Sequence, residues 1–132
     1  MTINSPFSAT PIATVDQFKS ALLSMRDADL PGSYLTMLRA QCRSVDATIT
    51  STKLSQAADF KNFNAANLHY GTLGRGIAEH LGYNPPQRAD GSRMWWTTLS
   101  YTAEEVSEAE TGHFQFIMRP ELVAALRAMR WA

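Results

Sequence analysis

Residues 64–82 read NAANLHYGTLGRGIAEHLG, and the spacing of their apolar side chains decides the fold. At 100° per residue, Ala66, Tyr70, Leu73, Ile77 and Leu81 fall on one stripe, the inward face of an amphipathic helix. Asn64 is a good N-cap for that helix. Gly82 is a C-terminal stop, and Pro85-Pro86 prevents resumption. The outer side shows Asn64, Leu68, Gly71, Thr72, Arg75 and Glu79, with Asn67 and His69 on its flanks. Gly71, Gly74 and Gly76 are unusual here, since each costs a helix about 0.5–1 kcal/mol relative to alanine. A close backbone approach explains them. It comes from a neighbouring helix, a second subunit or a nucleic-acid backbone, and packing is the simplest of the three. GTLGRG is not a phosphate loop, because it lacks the Lys-Ser/Thr ending and follows no strand.

Upstream, Thr14 and Gln17 form a capping-box pattern that starts a helix with Val15, Phe18, Leu22 and Met25 on its apolar face. Residues 27–32 break it. A second helix runs from about Ser33 to Arg43, with Tyr34, Leu35, Leu38 and Cys42 inward, so Cys42 is a small buried hydrophobe. The β-branched stretch 47–50 reads as a short strand. Ser51 or Thr52 then caps a short helix to Phe60, and Lys61-Asn62-Phe63 is a turn. Residues 1–13, with Pro6 and Pro11, read as an extended N-terminal arm, and residues 14–132 as a single domain.

Downstream, residues 84–93 form a polar loop. Met94–Tyr101 (MWWTTLSY) reads as a strand and His113–Met118 (HFQFIM) as its partner, with Phe114, Phe116 and Met118 on one face. Trp95 and Trp96 then point opposite ways, which makes one of them a candidate surface aromatic. The acidic stretch 102–112, TAEEVSEAETG, joins the two strands. Pro120 opens a last helix with Glu121 at its positive end and Leu122, Val123, Leu126 and Met129 on its buried side. Two helices in tight succession followed by a ribbon predict an α+β, winged helix-turn-helix-like fold. It is mostly helical, with a two- or three-stranded antiparallel ribbon.

Composition narrows the function classes. The 132 residues carry no net charge, which disfavours nonspecific coating of nucleic acid. Between Pro31 and Arg93, however, seven bases face four acids, whereas Met94–Met118 holds four acids and no Lys or Arg. One cysteine, no apolar run of membrane-spanning length and no secretory pattern point to the cytoplasm.

No catalytic or metal-ligating pattern stands out. His69, His80 and His113 have no metal-site spacing with Cys, Asp or Glu, and no GxSxG elbow occurs. Glu104, Glu105, Glu108 and Glu110 read as a solvated loop, because a flexible loop does not tune carboxylates by burial. No cofactor and no metal is expected.

A helix-turn-helix places the N-terminal part of its second helix in the major groove. There Asn bonds adenine, Arg bonds guanine, and Leu or Thr meets a thymine methyl. Asn64, Asn67, Leu68, Thr72 and Arg75 are suitable types on the outer side, with His69 at its flank. Lys53, Lys61, Arg88 and Arg93 suit phosphate contacts. The blander alternative makes Asn64 a cap, Asn67 and His69 solvated surface, and Leu68 a buried residue on a rotated helix.

The strings AANLHYGTLG (65–74) and FIMRPEL (116–122) carry a resemblance. Over about residues 33–131 the chain resembles a group of uncharacterised bacterial proteins with an AANLxYGxLG motif and an MRPEL C-terminal segment. These are similar to modules found beside HNH-type restriction endonuclease domains. The chain has no HNH motif, so the resemblance implies a recognition module without the cutting part and carries over no catalytic residue. The expected function is therefore non-enzymatic recognition, DNA-binding in regulation or restriction-associated defence, with double-stranded DNA as partner. The alternative is a protein–protein interaction module of the same fold, through a protein partner or a homodimer.

Overall fold

The computed structural model describes residues 9–103 and 113–132. Among the described residues five α-helices and three strands follow one another as α1 (Val15–Asp27), α2 (Gly32–Arg43), β1 (Thr48–Thr50), α3 (Ser51–Ala58), α4 (Phe63–Leu81), β2 (Ser100–Tyr101), β3 (Gln115–Met118) and α5 (Pro120–Ala128). The chain is an α+β protein.

Local chemistry sets most boundaries. The Thr14 hydroxyl accepts from the Gln17 amide, and the Gln17 side chain accepts from the Thr14 amide, which closes the capping box of α1. Gly82, at φ 69°, ends α4 in the left-handed conformation that glycine adopts without strain. Asp59 adopts the same conformation at φ 58° and closes α3, so that residues 59–62 swing the chain into α4. Two expected caps move. Thr50, not Ser51 or Thr52, caps α3, and its hydroxyl accepts from the Lys53 amide. Asn62, not Asn64, caps α4 by accepting from the Ala65 amide, so Asn64 lies one residue inside the helix.

The sheet is antiparallel in the order β1-β3-β2. Ile49 lies opposite Phe116, and Ser100 opposite Met118. Phe114, Phe116 and Met118 all face the core, as their alternation predicts. Below them, α1 packs between α4 and α5, and α3 packs on both α2 and α4. Phe18, Leu22, Leu38, Leu73, Ile77 and Leu126 fill the centre. Cys42 is buried among them. Of the N-terminal arm, residues 9–13 are described: Ala13 is buried and Ile12 packs against the core.

The expected strand Met94–Tyr101 is the clearest correction. Residues Trp95–Thr98 form a turn of 3-10 helix, and only Ser100–Tyr101 pair as a strand. The Thr97 amide and hydroxyl both donate to the Met94 carbonyl, at 3.1 and 2.9 Å, and this local bonding outcompetes the ladder. The strict alternation expected for Trp95 and Trp96 therefore does not apply. Trp96 is buried, edge-on to Phe114 and Phe116 at 5.5 and 5.3 Å. Trp95 is only partly buried.

Three buried polar side chains lock the sheet to the helices. The Tyr70 hydroxyl lies 2.6 Å from both Gln41 Oε1 and Ser100 Oγ. Gln41 Nε2 donates to Ser100 Oγ and to the Phe116 carbonyl. Burial pushes the Tyr70 hydroxyl well above the usual phenol range, despite those hydrogen bonds. Arg119 is fully buried and donates from Nε to the Thr97 carbonyl and from Nη1 to the Thr10 carbonyl. It thereby ties the 3-10 turn to the end of the N-terminal arm.

Candidate nucleic-acid interface

The outer face of α4 is open along its length. Asn64, Leu68, Thr72, Arg75 and Glu79 are exposed, whereas Ala66, Tyr70, Leu73 and Ile77 are buried. The inward stripe ends at the partly buried Leu81. Leu68 retains 68% of its surface, so the rotated-helix alternative is not the observed arrangement.

Next to this face lies an open cleft of about 410 Å³. One wall is α4, through Asn67, Leu68, Gly71, Thr72 and Arg75. The opposite wall is the loop 84–93, through Arg88 and Arg93, and the 3-10 turn, through Trp95 and Trp96. Tyr70 and Phe116 form the floor. Six of the ten candidate residues thus meet at one place, although they lie up to 26 positions apart in sequence (67 to 93).

Each wall is ordered by identifiable bonds. Arg75 pairs with Glu79 at 3.2 Å, one helical turn away, and its guanidinium lies 5.6 Å from the centroid of the Trp95 ring. The loop folds back on itself, with the Arg88 amide bonded to the Ser92 carbonyl at 2.7 Å and Gln87 bridging Arg93. Asp90 at its tip accepts from the Ser92 hydroxyl at 2.6 Å and from the Ser92 amide at 2.9 Å. Those two bonds hold its carboxyl below the usual carboxylate range. Arg88 Nη1 donates to the Arg93 carbonyl, and Arg93 Nη1 to the Pro85 carbonyl. The two arginines are therefore partly pre-positioned.

The other candidates fall elsewhere. Lys53 is exposed on the first turn of α3, and Lys61 is exposed in the turn before α4. Asn67 accepts a short hydrogen bond from the Ser51 hydroxyl, which fixes its amide at the rim of the cleft. His69 is not a solvated flank. Its ring stacks on Phe60, with centroids 4.6 Å apart, and its Nδ1 lies 3.0 Å from the Tyr34 hydroxyl. It belongs to the contact of α4 with α2 and with the turn that follows α3, and it does not line the cleft. The acidic stretch expected to join the strands lies, from residue 104 to 112, outside the described residues.

The sequence offers Trp95 or Trp96 as a surface aromatic, but not the meeting of Trp95 with Phe116 at this cleft. The usable signal was Gly74. A Cβ there would collide with the Trp95 carbonyl oxygen, so the glycine marks where the 3-10 turn crosses α4. Gly76 accommodates the flexible end of Met25, and Gly71 faces open space. Among the described residues, no group of three or more His, Cys, Asp or Glu is arranged to hold a metal ion, and no helix is long and apolar enough to cross a membrane. No family model, curated protein or solved structure matches the chain.

Proposed function

We propose that the chain is a non-enzymatic recognition module of winged helix-turn-helix type that binds double-stranded DNA. The observation that carries this reading is the convergence of Arg75, Arg88 and Arg93 beside an α4 face that stays open. The arrangement of elements supports it. A short helix, a four-residue turn (residues 59–62) and a longer helix are followed by a hairpin, and a strand preceding the motif completes the sheet. In this reading Asn64, Leu68 and Thr72 approach base edges in the major groove. Lys53, Lys61, Arg88 and Arg93 contact phosphates on either side. The likeness of AANLHYGTLG and FIMRPEL to modules beside HNH-type domains supports a role in regulation or restriction-associated defence.

The test is binding of the full chain to labelled duplexes, unmodified and modified, over a range of salt. Log affinity should fall linearly with log salt. Arg75→Ala should weaken binding by about 1–3 kcal/mol. Absence of salt-dependent binding to every duplex overturns the reading.

A second reading, a protein-interaction module of the same fold, is favoured by Leu68. This large apolar side chain is 68% exposed near Gly71, where an added Cβ would meet nothing within 4 Å. Sedimentation showing a dimer that Leu68→Asp dissolves would support it.

A further inference from the structure

The cleft holds more chemistry than duplex positioning requires. Phosphates on a smooth duplex are met by exposed cations such as Lys53 and Lys61. A concavity of about 410 Å³ instead falls in the range of small-molecule sites, about 300–1,000 Å³. Its lining divides into two kinds of surface. Arg75, Arg88 and Arg93 bring planar guanidiniums, whose fork matches phosphate oxygens. Trp95, Trp96 and Phe116 bring aromatic rings. None of the described residues lining it is acidic. At the rim, Asn67 has its amide orientation fixed by Ser51. A ligand that satisfies both surfaces carries a flat ring and an anionic group a few bonds apart.

We propose that the cleft binds one nucleotide, with its phosphate on Arg88 and Arg93 and its base against the Trp95–Arg75 pair. Stacking on an aromatic ring or a guanidinium plane is the usual way an unpaired base is held. A base inside an intact duplex offers only its edges, so a paired nucleotide does not fit. Two sources present the required chemistry: a free nucleoside monophosphate, and an unpaired nucleotide displaced from a DNA strand. For the second source the proposal rests on the duplex-binding reading above.

The experiment titrates the full chain in parallel with dAMP, dCMP, a fully paired duplex and the same duplex carrying one extra unpaired nucleotide. Tryptophan fluorescence and anisotropy report binding. Either the monophosphates bind, which assigns the free source, or the unpaired duplex binds about tenfold more tightly than the paired one, which assigns the strand. That binding or advantage is lost in Trp95→Ala and kept in Trp95→Phe. Arg75→Gln, a surface change on α4, weakens it as well and decides the matter if Trp95→Ala does not fold. If the monophosphates do not bind and the unpaired nucleotide gives no advantage, the proposal is overturned. It is overturned equally if the advantage survives both Arg75→Gln and a folded Trp95→Ala. The paired duplex separates the two ideas. Monophosphate binding without paired-duplex binding sinks the duplex reading alone, and paired-duplex binding without any nucleotide preference sinks this one alone.

Discussion

Gly74 of α4 lies directly against the backbone carbonyl of Trp95. A Cβ built on the glycine would collide with that oxygen and come within 2.9 Å of the carbonyl carbon. The contact is backbone to backbone, so no side-chain rotation relieves it. Gly74→Ala should therefore destabilise the protein by about 1–3 kcal/mol, the usual cost of overpacking. Gly71, three residues earlier, meets nothing within 4 Å. Gly71→Ala should stabilise by about 0.5–1 kcal/mol, by helix propensity alone. Paired thermal or urea melts of the two variants check the contrast, and equal effects would refute it.

Tyr70 is the hub of the buried Gln41–Ser100 network. Tyr70→Phe strands the Gln41 oxygen and should cost about 1–3 kcal/mol. The same residue predicts an alkaline effect. In the unfolded chain the phenol ionises near its ordinary value of 10.0, whereas burial raises it in the folded protein. The stability it confers is complete below that ordinary value and declines as pH rises above it. Tyr70→Phe should lose this part of the alkaline decline. Urea midpoints of both proteins across the alkaline range test the difference.

Asp90 predicts an acid effect of opposite sign. The Ser92 hydroxyl, and then the Ser92 amide, hold its carboxyl below the usual range. The order this gives the 84–93 loop is present above the ordinary aspartate value of about 4 and is lost as pH falls below it. An NMR titration should place the Asp90 midpoint below that of an unperturbed aspartate. Ser92→Ala should raise it back toward the ordinary value. An unchanged midpoint would show that the Ser92 bonds do not persist in solution.

Lys53 and Lys61 are both exposed, and neither lines the cleft. If they contact phosphate, alanine at either position should weaken every duplex alike and reduce the salt slope by about 1. Thr72→Ala, on the outer face of α4, should instead change preference among sequences and leave the slope unchanged. Binding isotherms at several salt concentrations distinguish the two patterns.

Much of this architecture is legible in the sequence because the helices carry their own punctuation. The Thr14–Gln17 box, the αL glycine at 82 and Pro120 at the start of α5 each act within a turn of the residue that bears them. Period-2 alternation likewise reveals the inward face of β3. What stayed hidden depends on distant partners. Trp95–Thr98 have the composition of a strand, but the site they occupy is fixed by Gly74, more than twenty residues away, and by the Thr97 hydroxyl bond to Met94. His69 is polar and sits at the margin of the stripe, yet Phe60 and Tyr34 claim its ring. Six of the proposed contact residues are recognisable individually by type. Their convergence on one cleft follows from how the 84–93 loop folds back, which no local pattern encodes.

The strand order β1-β3-β2 has a kinetic consequence. The middle strand is synthesised last of the three, so β1 and β2 leave the ribosome with no neighbour to bond. They must wait, unpaired, until β3 emerges and bridges them. Closure of the sheet is thus a late, long-range event laid over a helical scaffold that assembles from more local contacts. Substitutions in β3 should slow refolding more than equally destabilising ones in α1.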